Sequence, residues 1–159
     1  MATVHATAVL VGAKAILIRG PSGAGKSRLA LDLVGLAAAG VVPFARLVAD
    51  DRVDLAVAGG RLLARPPAAL AGLVERRGEG IVSAPFEAAA VVGLVVDLVA
   101  EDAARMPEPE SLWTALCGVR LPRLPVARDG DAVRLVLARS SWCSTANPVL
   151  AASQPYGYR

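Results

Sequence analysis

The chain has 159 residues, enough for one domain, and 55% of them are hydrophobic against 19% charged. This composition excludes a disordered segment, which requires low hydrophobicity and high charge, and it predicts a sizeable buried core. The longest mostly apolar run without charge, residues 33–45, contains Pro43 and is well short of the ~18–20 residues that span a membrane. We therefore expect neither a membrane span nor a membrane partner.

Charge and cysteine content exclude two further classes. The net charge of +3 is small and the basic residues are scattered, so no nucleic-acid partner is predicted. Cys117 and Cys143 have no metal-ligand spacing and form no disulfide framework. Because residues 1–11 also lack the pattern of a secretion signal, we expect a cytoplasmic protein with reduced thiols.

The first third of the chain predicts a hairpin, a helix and a strand. Runs rich in β-formers at 5–12 and 14–19, separated by a short turn, favour antiparallel pairing. Leucines at helical spacing predict a helix over 28–39, and Gly40 is typical of a helix stop. A short strand is expected to follow at 46–49.

The middle of the chain predicts a second hairpin and a second helix. The glycine pair at 59–60 is typical of a turn between strands at 53–57 and 61–64. The proline pair at 66–67 predicts the first turn of a helix that reaches about Glu75, because proline is tolerated in a first turn.

The remainder is less regular. We expect a loop over 76–83, then a strand buried on both faces over the nearly continuous apolar run 88–100. Prolines within 107–125 predict loop-rich chain around a short segment at 110–116. The periodicity of 133–137 leaves strand and helix open.

A complete G-x-x-x-x-G-K-S motif lies between the first predicted hairpin and the first predicted helix. Its glycines let successive backbone N–H groups curve around phosphate oxygens, and the following helix directs its positive end at the same anion. Lys26 supplies a charge for the β- and γ-phosphates, and Ser27 supplies a hydroxyl for Mg²⁺. The motif predicts a nucleotide-binding loop made of Gly20, Pro21, Ser22, Gly23, Ala24, Gly25, Lys26 and Ser27.

An acidic pair, Asp50 and Asp51, ends the strand predicted at 46–49. Adjacent side chains on a strand point to opposite faces, so we expect one carboxylate to face the metal or the nucleophile and the other to face elsewhere. A carboxylate near a triphosphate either holds a metal ion or accepts the proton of an attacking hydroxyl. A solvated acidic turn is the alternative.

Three other residues have side chains that could take part in catalysis, but none of them predicts a function by itself. Glu75 begins a charged run that, taken alone, is typical of a solvated surface. His5 lies on a predicted strand, where a single histidine is usually structural. Arg105 precedes a proline-rich stretch and has no motif of its own.

Taken together, these residues resemble the catalytic domain of the bacterial HPr kinase/phosphorylase family over residues 4–136. The resemblance is carried by His5, the loop 20–27, the stretch 46–53 and the segment Glu75-x-Arg77-Gly78-x-Gly80-Ile81, which looks like the signature loop of the family. It implies an α/β fold, namely a P-loop kinase domain with a mixed β-sheet, similar to HPr kinase and PEP carboxykinase. We expect this domain to span residues 1–139, as a short form without the family's N-terminal domain, and a poorly ordered tail to follow at 140–159.

The resemblance also implies an activity and partners. The chain would be an ATP- and Mg²⁺-dependent serine kinase of an HPr-like phosphocarrier protein of the phosphotransferase system, and a phosphorylase that removes the phosphate with inorganic phosphate. Family members form hexamers, so we expect a homohexamer. Two alternatives stay open: a small-molecule P-loop kinase, and a non-catalytic sensor that binds ATP without transferring phosphate.

Roles for individual residues follow from the same resemblance. Residues 20–27 would bind ATP, and Ser27 and Glu75 would be Mg²⁺ ligands, to which we add Asp50 as a third oxygen donor. Lys26 would neutralise charge on the phosphates.

For catalysis, the resemblance implies that Asp51 is the general base that takes the proton of the acceptor serine, and the acid of the reverse reaction. His5 would be an auxiliary group near Asp51. Arg105 would correspond to the family's catalytic arginine and stabilise charge on the transferring phosphoryl group.

Overall fold

The computed structural model describes residues 1–139, so the predicted tail at 140–159, with Cys143, lies outside the described residues. The elements in this part are β1 (Ala2–His5), β2 (Thr7–Val11), β3 (Lys14–Arg19), α1 (Lys26–Ala38), β4 (Ala45–Ala49), β5 (Arg52–Ala58), β6 (Arg61–Arg65), β7 (Leu73–Arg76), β8 (Gly80–Ser83), β9 (Ala90–Leu98), β10 (Trp113–Leu116), β11 (Val119–Val126) and α2 (Ala132–Ala138). Short 3₁₀ turns occupy Ala68–Leu70 and Pro109–Leu112. None of the helices described in 1–139 is long and apolar enough to cross a membrane.

Nine of the strands form one mixed sheet, and its order places the functional loops. The path runs β1-β5-β6-β9-β3-β2-β4, with β11 parallel to β9 and β10 antiparallel to β11. The sheet forks along β9, because β6 pairs with its first residues and β11 with its last ones. Strands β3, β9 and β11 are parallel, so their carboxyl ends meet at one edge, where open α/β sheets bind ligands. The predicted α/β fold with a mixed sheet is confirmed.

The central strands are apolar between their ends because both of their faces are covered. Ile16 and Ile18 of β3 pack in one buried cluster with α1, whereas Ala15 and Leu17 pack in a second cluster with β5 and β6. Successive side chains of a strand point to opposite faces, so a strand between two cores needs apolar residues at every position. Strand β9 follows the same rule, which confirms the strand predicted within 88–100.

Helix α1 lies on one face of this sheet, and its last residue, Ala38, comes shortly before the predicted stop at Gly40. Its residues Leu29 and Leu33 are buried against the sheet. Gly40 has φ 74, a backbone conformation that glycine adopts at little cost because it has no Cβ. The Gly40 N–H donates to the Ala37 carbonyl and the Val41 N–H to the Leu36 carbonyl, and this pair of hydrogen bonds closes the helix.

The hairpin expected between 5–12 and 14–19 is present but begins later. Thr7–Val11 pairs with Lys14–Arg19, whereas His5 belongs to β1 and pairs with Arg52 of β5. The prediction was wrong at His5 because two strands that belong to different parts of the sheet follow one another with only Ala6 between them. The hairpin predicted around the glycine pair at 59–60 is confirmed.

The helix predicted from the proline pair at 66–67 to Glu75 is wrong, and the loop predicted at 76–83 is confirmed only for the turn 77–79. After one 3₁₀ turn the chain extends into β7, which pairs with β8 as a separate two-stranded sheet. The Ala84 N–H donates to the Gly72 carbonyl and fixes the base of this hairpin. Pairing with a partner strand, which local periodicity does not reveal, therefore overrides the helical start signal.

Two expectations for the last part of the chain are settled by packing. The prediction of loop-rich chain within 107–125 is wrong where β11 begins. Pro122 and Pro125 lie within this strand, which pairs with β10 and β9. Residues 133–137 are helical, because Asp131 caps α2 by accepting the Arg134 N–H and Val136 is buried.

We expect Leu33→Ala to lower the free energy of unfolding by about 2–5 kcal/mol, because it leaves a cavity between α1 and the central sheet. Leu135→Ala on α2 is the matched control, since Leu135 is 38% exposed and its truncation exposes little new surface. Urea unfolding followed by circular dichroism measures both variants. Equal losses in the two would contradict the described packing of α1.

Candidate functional site

The loop 20–27, called the phosphate loop below because its sequence predicts phosphate binding, joins β3 to α1 and lies against the end of β9. A Cβ on Gly20 would lie 3.0 Å from the Leu98 carbonyl oxygen, so the start of the loop admits no side chain. Gly25, with φ 94, precedes the first residue of α1 and provides no side-chain cap. The first-turn N–H groups of α1 therefore have no hydrogen-bond partner within the helix. N–H groups of this kind bind anions such as phosphate.

Lys26 spans the loop from the first turn of α1. Its side chain is nearly buried, and Nζ donates to the carbonyl oxygens of Gly20 and Pro21 at 3.0 Å each. A lysine ammonium has three N–H donors, so one donor and the positive charge stay available to a phosphate. The loop thus presents a positioned cation beside a row of backbone N–H groups.

Asp50, directly after β4, is the centre of the site. It is only 4% exposed, and its Oδ1 accepts hydrogen bonds from Thr7 Oγ1 and Ser27 Oγ at 2.7 Å each. Its Oδ2 accepts the backbone N–H of Glu75 at 3.1 Å. One buried carboxylate therefore connects β2, the start of α1 and β7, and it holds the Ser27 hydroxyl at the phosphate loop.

Thr7 is a member of this cluster that the sequence reasoning missed. It is fully buried, and its hydroxyl donates to Asp50. The available signal was a polar residue within an otherwise apolar strand, since a buried hydroxyl requires a hydrogen-bond partner.

Asp51 faces the opposite way and is exposed. It has φ 64, and the Arg52 N–H donates to the Asp50 carbonyl, which closes a γ-turn centred on Asp51. A non-glycine residue in this region is strained, and such residues concentrate at functional sites. The turn points Asp51 to solvent, where its Oδ1 lies 3.4 Å from Nε2 of His5 on β1.

Glu75 reaches this centre through its backbone, while its side chain is exposed on β7. Within residues 1–139, no three His, Cys, Asp or Glu side chains form a metal cluster. Two of the three donors expected for Mg²⁺, the Ser27 hydroxyl and the Asp50 carboxylate, are in contact beside the phosphate loop. Glu75 as the third ligand stays a prediction. Magnesium suits such a site, because it retains waters and takes its remaining ligands from substrate phosphates.

Arg105 lies apart from these groups. It is exposed and lines a cavity of about 340 Å³ together with Pro107 and Leu112. None of the residues placed above at the phosphate loop or the acidic pair lines this cavity. Arg105 also has no ion pair with a residue in the described part of the chain.

A second charged cluster, which the sequence reasoning also missed, lies at the root of the phosphate loop. Asp97, at the end of β9, accepts two hydrogen bonds from Arg19 at 2.6 and 2.7 Å and one from Arg123. Arg19 is the residue directly before the loop. Arg123 also donates hydrogen bonds to the carboxylate of Asp102 and to the Ser111 carbonyl.

The two arginines control the ionisation of Asp97. Burial raises its pKa, but the hydrogen bonds from Arg19 and Arg123 outweigh burial, so the pKa lies below its ordinary value of 3.8. The hydrogen bond from Arg123 also lowers the pKa of Asp102. Asp97 is therefore charged at neutral pH and holds the ends of β3, β9 and β11 together beneath the loop.

We expect Asp97→Asn to lower the free energy of unfolding at pH 7 by about 2–3 kcal/mol, because Arg19 loses its carboxylate partner and Arg123 loses one of its two. A depressed carboxyl pKa stabilises the fold above the unfolded value and ceases to do so as pH falls through the folded value. The difference between wild type and variant should therefore shrink below about pH 4. Urea unfolding from pH 3 to 7 measures this.

Asp102→Asn is the control for that series. Its side chain is half exposed and pairs with Arg123 alone, so we expect a smaller loss. A constant difference between wild type and Asp97→Asn over the whole pH range would contradict the assigned ion pairs.

Comparison with known proteins identifies relatives of one kind. A family model described as "HPr Serine kinase C-terminal domain" matches residues 1–112. The HPr kinase/phosphorylase of Clostridium tetani is 41% identical over 81 residues, which cover 51% of this chain and 24% of that protein. The corresponding protein of Streptococcus thermophilus is 43% identical over 81 residues, 50% of this chain and 24% of its own length. The chain thus matches about a quarter of the length of these curated relatives.

A solved structure extends the likeness in fold. The HPr(Ser) kinase/phosphatase from Coxiella burnetii superposes with a TM-score of 0.69 at 24% sequence identity, covering 89% of this chain and 96% of that one. The two chains share one architecture over most of their length.

Proposed function

We propose that this chain, which belongs to the family of HPr serine kinase C-terminal domains, transfers the γ-phosphoryl group of ATP to a serine hydroxyl of an HPr-like phosphocarrier protein. The observation that carries the proposal is the difference in environment between the two carboxylates of the acidic pair. Asp50 is buried against Ser27 at the phosphate loop, and Asp51 is held in a strained turn facing solvent. A metal-binding carboxylate and a base for an incoming hydroxyl are the two roles that such a transfer requires.

Phosphate binding falls to the loop and to Lys26. The backbone N–H groups at the start of α1 and the Lys26 ammonium would neutralise the β- and γ-phosphates. Ser27 and Asp50 would hold Mg²⁺, which offsets the charge that develops on the phosphates during transfer. Because Ser27 already donates to Asp50, the side chains need little rearrangement before the metal and the nucleotide bind.

Asp51 suits the role of base because the acceptor serine belongs to another protein and must arrive from solvent. Its side chain is 68% exposed. In the proposed step the serine oxygen forms a bond to the γ-phosphorus, the bond from that phosphorus to the bridging oxygen of ADP breaks, and Asp51 takes the hydroxyl proton. His5, 3.4 Å away, would orient the Asp51 carboxylate. A role for Arg105 on the transferring phosphoryl group stays a prediction, since Arg105 lines a cavity that none of these groups lines.

The proposal extends to the reverse reaction and to the setting in which it takes place. An oxygen of inorganic phosphate would form a bond to the phosphorus of the phosphoserine, and the bond from that phosphorus to the serine oxygen would break. Pyrophosphate would leave, and protonated Asp51 would give its proton to the serine oxygen. The same proposal includes assembly into a homohexamer and activity in the cytoplasm, where the chain would meet a phosphocarrier protein.

For the forward reaction we expect phosphorylation of a purified HPr-like carrier, detected as one added phosphate by intact mass and mapped to a serine. Asp51→Asn should reduce the rate by about 10²–10⁴-fold, as loss of a general base does, while ATP binding is retained. Lys26→Ala should abolish ATP binding itself. Asp54→Asn is the matched control, because the Asp54 carboxylate accepts a hydrogen bond from Thr3 and lies on β5, away from the phosphate loop.

Two outcomes would contradict this assignment. An unchanged rate in Asp51→Asn would remove the proposed base. ATP binding that depends on Lys26, with no transfer to the carrier, would favour the sensor that binds nucleotide without catalysis.

For the reverse reaction we expect the phosphorylated carrier, given excess inorganic phosphate and Mg²⁺, to release unmodified carrier and pyrophosphate in equal amounts. Asp51→Asn should slow this reaction by the same order as the forward one, because one group serves as base and acid in the two directions. Pyrophosphate is measured with a coupled enzymatic assay. Release of inorganic phosphate without pyrophosphate would show hydrolysis and refute the phosphorylase.

A further inference from the structure

Thr7 is a buried polar residue in a strand that is otherwise apolar. In residues 1–139 the buried polar side chains are those of Thr7, Lys26 and Asp50. Lys26 and Asp50 belong to the proposed chemistry, whereas the threonine stands outside it. The other residues of β2 are alanine, valine and leucine. Valine has nearly the shape of threonine and packs equally well in a buried strand, so packing does not account for the hydroxyl.

The hydroxyl of Thr7 fixes one oxygen of Asp50. It donates to Oδ1 at 2.7 Å, and Ser27 Oγ donates to the same oxygen at 2.7 Å. A carboxylate oxygen accepts about two hydrogen bonds, so these two donors saturate Oδ1. The Glu75 N–H occupies one position on Oδ2. Because the three donors come from three different elements, they hold the carboxylate in one orientation.

This orientation decides how Ser27 presents its oxygen. A serine hydroxyl has one proton and two lone pairs. Since its proton is donated to Asp50, the lone pairs of Ser27 Oγ are directed away from the carboxylate and are available to a cation at the phosphate loop. If Oδ1 turned away, the Ser27 proton would lose its acceptor, and the hydroxyl would rotate.

We propose that Thr7 is a positioning residue for Mg²⁺. It acts through Asp50, whose orientation sets the ligand oxygens of both Asp50 and Ser27, and it is not itself a ligand. Residues that orient metal ligands in this way typically contribute about 10–100-fold to metal affinity. The inference rests on the proposed use of MgATP, and it names a residue outside the ligand set that determines how strongly the metal is held.

The test measures ATP binding by isothermal titration calorimetry on the full chain, once in EDTA and once in saturating Mg²⁺. The ratio of the two affinities is the gain that the metal provides. We expect Mg²⁺ to tighten ATP binding in wild type. Thr7→Val, which keeps the shape and removes the hydroxyl, should reduce this gain about tenfold and leave the affinity in EDTA unchanged.

A second pair of variants separates the hydroxyl from the packing. Thr7→Ser and Thr7→Ala both lose the methyl group, but only Thr7→Ser keeps the donor to Asp50. We expect Thr7→Ser to retain the gain from Mg²⁺ and Thr7→Ala to reduce it about tenfold. Thr3→Val is the matched control, because Thr3 also donates to a carboxylate, that of Asp54, in an exposed pair. It should bind like wild type.

Several outcomes would overturn the inference. One is an equal gain from Mg²⁺ in wild type, Thr7→Val and Thr7→Ala, and another is the absence of any gain in wild type. Loss of the gain in Thr7→Ser would show that the methyl group matters rather than the hydroxyl. Loss of ATP binding in EDTA in both hydroxyl-free variants would show that Thr7 supports the phosphate loop itself and not the metal ligands.

Failure of the proposed kinase is distinguishable from failure of this role. A chain that transfers no phosphate to a carrier, yet loses the gain from Mg²⁺ in Thr7→Val and keeps it in Thr7→Ser, supports the positioning role and refutes the carrier kinase. A chain that phosphorylates the carrier and shows the full gain in Thr7→Val refutes the positioning role alone.

Discussion

The buried carboxylate of Asp50 is the constraint on which the rest of the site depends. A charge that is almost fully removed from water is tolerated only when hydrogen bonds compensate it, and Asp50 obtains three, from Thr7, Ser27 and the Glu75 backbone. These donors belong to β2, α1 and β7. Satisfying one carboxylate therefore fixes the Ser27 hydroxyl at the phosphate loop and docks the β7-β8 hairpin beside it.

The phosphate loop is held by electrostatics on both of its sides. On the β4 side, Asp50 contacts Ser27 after the loop, and on the β9 side, Asp97 binds Arg19 before the loop. Because β3, β9 and β11 are parallel, their ends converge there and bring Asp97 within reach of Arg123 as well. Both ends of a flexible, glycine-rich segment are thereby positioned, and its backbone N–H groups keep a fixed arrangement for an anion.

One sharp turn gives the neighbouring carboxylates of Asp50 and Asp51 different surroundings, buried for Asp50 and exposed for Asp51. In continuous strand geometry neighbouring side chains alternate, but here the chain leaves β4 at Ala49 and reverses through a γ-turn at Asp51. The strain of that turn is borne by the surrounding sheet, in which β1 pairs with β5 and brings His5 beside Asp51. An exposed carboxylate with a fixed orientation fits the base that we propose for a serine arriving from solvent.

The sequence by itself determined the features that are encoded within a few residues: the phosphate loop, the helix that ends at Gly40, the hairpin at 59–60 and the acidic pair. Local backbone preferences and short hydrogen bonds suffice for these, so they are legible in the chain. Tertiary structure alone decided that Glu75 lies on a strand, that Pro122 and Pro125 lie within β11, and which side chains meet. Thr7 and Asp50 are 43 positions apart, and Arg19 and Asp97 are 78 apart. Such contacts depend on the order of strands in the sheet, which no local pattern of residues specifies.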